Sequence, residues 1–386
     1  MEAYLDNAAT TRVFPEVRKM MVHVMEEDFG NPSSKHTKGI TAENYIKEAK
    51  ETICTQLKCK SKEIIFTSGG TESNNMAFIG TAIANRRAGK HVITTRIEHA
   101  SVHEPMAYLE EMGYDVTYLP VDSTGRVSVE ELENAIREDT FLISIMYVNN
   151  EVGSVQPIEQ IGQMLKKKHP QILFHVDAIQ AFGKYKIVPK KLGVDMMSVS
   201  GHKIHGPKGS GFLYVNEKVK IRPILFGGGQ QDGMRSGTEN VPAIAGLGVA
   251  VKEIYIGHSE KRAKLYELKK RLIAGLQDVD GVTINALIDP IEETAPHIVS
   301  VSFANTRSEV MLHALAQKGV FVSSGSACSS NHPELSGTLQ AIGVKSELLD
   351  STLRFSFSVM TTSEEIDYAI EVVKEVLPVL RKFTRR

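Results

Sequence analysis

The stretch Asp195-Met-Met-Ser-Val-Ser-Gly-His-Lys-Ile-His-Gly-Pro-Lys-Gly-Ser-Gly211 starts as a short apolar strand and breaks at Ser200-Gly201. It then presents Lys203 between His202 and His205, and closes in glycines that forbid a helix. A lysine just beyond a buried strand can have its ammonium partly desolvated. That favours the neutral, nucleophilic amine needed to form a Schiff base with an aldehyde cofactor. A solvated loop lysine is the plain alternative, and this stretch alone does not choose between the two.

Upstream of this stretch, apolar runs alternate with segments of helical period. The pattern predicts strands at 63–67, 91–95, 115–119, 141–148, 172–176 and 195–199, with helices near 72–88, 101–112, 128–137 and 157–168. Near-continuous apolar strands separated by helices indicate a parallel sheet covered on both faces, an α/β architecture. Residues 212–215 read as a further strand closing that sheet. Pro15 suits a first helical position and opens a helix to about residue 25, and a second helix runs to about residue 57. A long helical pattern starts at Val241 and bends or breaks near Gly257. The strands 298–303, 320–322 and 352–357 and the helices 308–318 and 363–382 follow, which is α+β in character. The expected division is a large α/β domain over 15–257, with 1–14 and 258–386 forming a smaller α+β domain.

Composition narrows the function. The 386 residues carry a net charge of -1, so no basic footprint argues for direct nucleic-acid contact. No apolar run reaches membrane-spanning length, and the N-terminus lacks the basic and then apolar pattern of a signal peptide. Three cysteines in so long a chain are no disulfide framework and suit a reducing cytoplasm. Cys54 and Cys59 bracket a helix end; without a second pair they make no metal site, and packing is their expected role.

In open α/β sheets ligands bind beyond the carboxyl ends of the strands, and polar clusters fall there in this chain. Thr67-Ser-Gly-Gly-Thr-Glu-Ser-Asn-Asn75 combines glycines, the Thr71 hydroxyl and a helix start, a suitable cradle for one phosphate or a plain capped turn. It is neither a Walker loop nor a dinucleotide fingerprint. Asp177 follows strand 172–176, where a carboxylate either keeps a pyridine nitrogen protonated or caps a helix; Gln180 lies one turn on. His99 and His103 sit one helical turn apart, but with no third ligand apparent no metal is expected, and His99 reads better as an imidazole stacked on a flat ring. The run Gly227–Asn240 is a second glycine-rich loop, carrying Ser236 and Thr238 to an oxyanion or serving as a connector. Asn149-Asn150 ends a strand and can hydrogen-bond a ligand or simply turn the chain. Cys328 lies in the small, polar run Ser323–Ser330, unlike a buried structural cysteine. Arg354, within an apolar strand, needs an anion: a substrate carboxylate or a structural partner.

Taken in order, the motifs Tyr4-Leu-Asp-Asn-Ala-Ala-Thr-Thr11, Ser68–Asn75, Glu98-His99, Val148–Gly153, His175–Gln180, Ser200–Gly209, Arg235–Asn240 and Ser324–Cys328 cover nearly the whole chain. The set resembles the class V aminotransferase-like pyridoxal phosphate (PLP) enzymes, and within them the cysteine desulfurases of the NifS/IscS group. The resemblance implies the aspartate aminotransferase-like, fold type I architecture of PLP-dependent transferases. It implies PLP held by Lys203, with Asp177 at the ring nitrogen, Gln180 at the ring hydroxyl and His99 on the ring face. It places the phosphate among Gly70, Thr71, Ser200 and His202, with Thr238 reaching it from a partner subunit, hence a homodimer. It implies L-cysteine as substrate, oriented by Asn150 and by Arg354 on its carboxylate. Cys328 then takes the sulfur as a persulfide and passes it to an acceptor protein, an iron–sulfur scaffold or a tRNA thiolation protein. A selenocysteine lyase or related aminotransferase-like enzyme, and a non-catalytic sulfur-relay or scaffold-binding protein, are the alternatives. One departure stands out: Ser356-Phe-Ser-Val-Met-Thr-Thr362 lacks the glycine, basic residue and aromatic that relatives carry after this arginine strand.

Overall fold

A computed structural model describes residues 1–324 and 335–383. The chain opens with the two-residue strand β1 (Ala3–Tyr4) and the helices α1 (Pro15–Glu26) and α2 (Thr37–Leu57). The main sheet follows: β2 (Ile64–Thr67), β3 (His91–Thr95), β4 (Asp115–Leu119), β5 (Thr140–Ser144), β6 (Leu173–Asp177), β7 (Met196–Ser200) and β8 (Gly211–Val215). Its order is β2-β8-β7-β6-β5-β3-β4. All neighbours run parallel except β8, which is antiparallel to both β2 and β7. The strand expected to close the sheet is therefore inserted inside it, and β2 becomes the edge.

Alternation along each strand explains the two covered faces. Ile64, Phe66, Ile93, Ile143, Met197 and Val199 point into one core cluster, whereas Ile65, Val92, Leu142 and Met196 point into another on the opposite face. The helix α3 (Gly70–Ala84) packs beside α4 (Ala100–Glu111) over the second face. On the first face α1 and α2 pack on the helix Val241–Tyr255. The strand expected over 141–148 stops at Ser144; the chain beyond it turns at Asn149, whose Oδ1 accepts the Glu151 and Val152 amides.

Beyond Gly257, which takes a left-handed conformation (φ 58°) between two helices, the second long helix is His258–Leu276. The strands β9 (Val282–Ile284), β10 (Ile298–Phe303), β11 (Val320–Phe321), β12 (Ser323–Ser324) and β13 (Thr352–Ser356) follow. An antiparallel sheet runs β12-β13-β10-β9, and β1 pairs in parallel with β11. These strands share an apolar core with the helices His258–Leu276, Ser308–Gln317 and Ser363–Phe383. The N-terminal segment joins the two sheets: Asn7 N–H donates to Ser356 O at 3.2 Å, while Thr11 N–H donates to His202 O at 2.9 Å.

Candidate active site

The carboxyl ends of β6 and β7, the start of α3 and the strand β13 surround a cavity of about 470 Å³. Asp177, the last residue of β6, is 4% exposed. Its Oδ1 accepts the Ile179 amide at 3.0 Å and its Oδ2 accepts Asn74 Nδ2 at 2.9 Å. Burial pushes its carboxyl up, opposed by these donors and by His99 and Lys203. A cationic ring nitrogen in the cavity would oppose that penalty further.

Lys203 follows β7 by one tight turn, Gly201–Lys203. The loop then folds back, because the Gly206 amide donates to Gly201 O and the Gly201 amide to Ser210 O, both at 2.9 Å. A Cβ at Gly201 would stand 2.4 Å from Ser210 Oγ, so only glycine allows this closure. The Lys203 amine reaches across the cavity and donates to Ala8 O and Ala9 O, each at 2.7 Å. Behind it, Lys184 donates to Lys203 O at 2.7 Å; burial, with the Lys203 charge second, brings the Lys184 ammonium down to about 7.

His99 caps α4. Its Nδ1 accepts the Ser101 amide at 3.0 Å, which leaves Nε2 to carry the proton of the neutral ring. Burial lowers its pKa, as do Lys203 and Arg354 against the contribution of Asp177. Gln180 lines the same wall, its Nε2 donating to Ala8 O at 2.9 Å and its Oε1 paired with His297 Nε2 at 3.2 Å.

Gly70, Thr71, Ser200 and His202 gather at another part of the cavity, where α3 begins. The preceding Gly69 has φ 149°, and a Cβ at Gly70 would come within 2.1 Å of Ile179 Cδ1. The left-handed φ favours glycine at 69, and the bare backbone at 70 leaves room for Ile179 where the helix start turns its first amides to the cavity. Burial keeps His202 neutral, lowering it to about 4.

On the opposite side Arg354, 6% exposed, projects from β13. Its Nη1 donates to Asn150 O at 2.8 Å and its Nη2 pairs with Asp6 Oδ1 at 2.9 Å. Ser323 and Ser324 of β12 line the cavity beside it. Cys328, in the segment that follows, lies outside the described residues. Thr238 is exposed in its loop and does not line the cavity; the neighbouring Arg235 ties that loop to α3 through Glu72, Nε to Oε1 at 2.9 Å. His103 stacks on Tyr118, and no cluster able to hold a metal ion occurs among the described residues.

The sequence reading missed three contributors. Asn74 stands in the quoted Thr67–Asn75 run, and its position one helical turn past Gly70 was the available signal. The carbonyls of Ala8 and Ala9 leave no mark on a sequence. Glu98 is buried, 6% exposed, accepting from Thr95 Oγ1 at 2.8 Å and the Met146 amide at 2.9 Å.

The donor set fits PLP. An amine, a buried carboxylate, a neutral imidazole and a glycine-lined helix start with hydroxyls line one cavity of suitable size. The sequence model of the family Aminotransferase class-V matches residues 3–369. A cysteine desulfurase IscS of Methanosarcina thermophila is 46% identical over 381 residues, covering 99% of this chain and 93% of that protein. Among solved structures, a NifS-like protein superposes with a TM-score of 0.92 at 40% identity, covering 98% of this chain and 100% of the other. SspA in complex with cysteine gives a TM-score of 0.81 at 36% identity, covering 93% and 100%.

Proposed function

The chain belongs to the class-V aminotransferase family and is a cysteine desulfurase of its NifS/IscS group, and from that premise we propose that Lys203, Asp177 and Cys328 carry its chemistry. The observation that carries the reading is the Lys203 amine set in one cavity with the buried Asp177 carboxylate and Arg354. Enzymes of this family depend on PLP, and the residues that would hold it are Gly70, Thr71, His99, Asp177, Gln180, Ser200, His202 and Lys203. Bound there, PLP supplies an electron sink that weakens the bonds around the substrate's α carbon.

Lys203 would hold the cofactor through its amine, and the same amine takes and returns protons at the substrate carbons. Asp177 would keep the ring nitrogen protonated by its charge, and Asn74 and the Ile179 amide fix the carboxylate's orientation. Arg354 and Asn150 orient L-cysteine, the guanidinium pairing with its carboxylate. Cys328, as a thiolate, forms an S–S bond to the substrate sulfur as the Cβ–S bond breaks; the bonding pair stays with Cβ, which takes a proton, and alanine leaves while Cys328 keeps a persulfide. An acceptor protein with a thiol or a scaffold site then takes the sulfur. Thr238, exposed on its own chain, reaches the phosphate of a second copy in a homodimer. Among the described residues no helix is long and apolar enough to cross a membrane, and a reducing cytoplasm suits the free thiols.

The test is product analysis. Purified protein loaded with PLP, given L-cysteine and a reductant, should release alanine and sulfide in equal amounts. A protein that stays colourless after PLP reconstitution, or that turns over cysteine without alanine, ends the reading.

A further inference from the structure

Cys54 and Cys59 do not line the cavity and take no part in the chemistry above. The structure gives them a relation that their spacing did not disclose. The helix α2 ends with Lys58 in a left-handed conformation (φ 54°), its amide bonded to Cys54 O. The Cys59 amide also donates to Cys54 O, at 3.2 Å. This is the Schellman way of closing a helix, in which the residue after the left-handed position meets the side chain of a residue in the last turn, usually as an apolar contact. Here both positions are cysteine, and the two Sγ atoms lie 3.5 Å apart.

The pair is half-buried and reduced. The Cys59 thiol donates to Cys54, which holds the Cys54 thiol below its ordinary value against the effect of burial; the Lys50 ammonium, one helical turn back, adds to this. The same contact, with burial, pushes Cys59 up. With the Lys50 ammonium beside it, Cys54 is the thiol that we take as attacking, and Cys59, its Sγ 3.5 Å away, lies in place to resolve. The helix-ending turn already brings the two sulfurs to 3.5 Å, from which a bond of about 2.05 Å closes the pair.

We propose that Cys54 and Cys59 form a reversible dithiol–disulfide couple at the end of α2, driven by exchange with small-molecule disulfides. The Cys54 thiolate attacks one sulfur of the small disulfide, forming a mixed disulfide and expelling one thiolate. Cys59 loses its proton and attacks Cys54 Sγ, forming the intrachain bond and expelling the second thiolate. The pair is oxidised by two electrons, the small disulfide is reduced to two thiols, and the two cysteine protons pass to solvent or to the leaving thiolates. The ring closed is short and its loop-closure entropy small, so the bond is a reporter of thiol state more than a staple.

The test uses the PLP-loaded Cys328→Ser protein, in which only this pair remains of the chain's 3 cysteines. It is treated natively with oxidised glutathione, alkylated, and digested with trypsin without reduction. Both thiols should become inaccessible to alkylation, and the peptide Glu51–Lys58 should appear linked to Cys59-Lys60 and be released by dithiothreitol. Wild-type protein should give the same linked pair. With Cys59→Ser added, the reaction should stop at a glutathione adduct on Cys54. Full alkylation of both cysteines after treatment, separate glutathione adducts without the linked peptide, or a link between two chains would overturn the proposal.

Discussion

The two walls of the cavity are built differently. One is made of strand ends in the main sheet, where Asp177 and Ser200 end β6 and β7 and Lys203 follows β7 by one turn. The other is made by Arg354 of the smaller sheet, which reaches the cavity through contacts remote in sequence: Asn150 O on one side and Asp6 on the other. The first wall sets the electronics of whatever lies on it, through buried charge. The second presents a buried guanidinium, a group suited to a carboxylate, and adjoins the chain that leads to Cys328. The cofactor seat and the substrate clamp proposed above can therefore be disturbed separately.

The largest effect expected is on the first wall. Lys203→Ala should lower cysteine turnover by at least about a thousandfold, the upper range for removing a positioned proton-transfer group. Borohydride reduction of the wild-type protein should fix the cofactor at position 203 and nowhere else, and a tag elsewhere would break the assignment. Cys328→Ala should lower sulfide release by at least a comparable factor, as expected when a catalytic nucleophile is removed. Its visible cofactor absorbance should remain that of the wild type, so a joint loss of colour and activity would show that the two walls are not separable.

Arg354→Lys keeps the charge but not the fork. The loss of charge-assisted hydrogen bonds is worth about 1.5–3 kcal/mol, so KM for cysteine should rise about ten- to a hundredfold with cofactor binding unchanged. A change in cofactor affinity instead would move Arg354 to the other wall.

The smallest effect tests the buried carboxyl of Glu98, next to His99 in sequence. Burial pushes Glu98 up to about 8 from an ordinary value of 4.5. Between those values the folded chain keeps a proton that the unfolded chain has released. Stability should thus fall as pH rises from 4.5 to about 8, with a slope of at most about 1.4 kcal/mol per pH unit. Glu98→Gln retains an acceptor for Thr95 and the Met146 amide and should flatten this slope in urea unfolding followed against pH. An unchanged slope would show that Glu98 is ionised in the folded protein.

The same contrast marks how far the chain could be read in advance. Strands β3, β4 and β10 match the expected spans because an apolar run bounded by turn residues is a local signal. The residues that follow such strands, Asp177, Lys203 and Gly70 among them, were legible for the same reason. Position within the sheet was not: nothing in Phe212–Val215 says that it lies between β2 and β7, since an apolar run fits the middle of a sheet as well as its margin. Cys54 and Cys59 read as packing because their meeting depends on Lys58 taking a left-handed conformation, a choice that the residue type does not announce.

By itself the sequence determined which groups are available for chemistry and which local element presents each, because periodicity and turn chemistry act over a few neighbouring residues. Only the tertiary structure decided that Asn74 holds Asp177, that Ala8 and Ala9 receive the Lys203 amine, and that Asp6 engages Arg354. Those contacts join residues far apart along the chain, and their partners are chosen by how two apolar cores pack against each other, which no local pattern encodes.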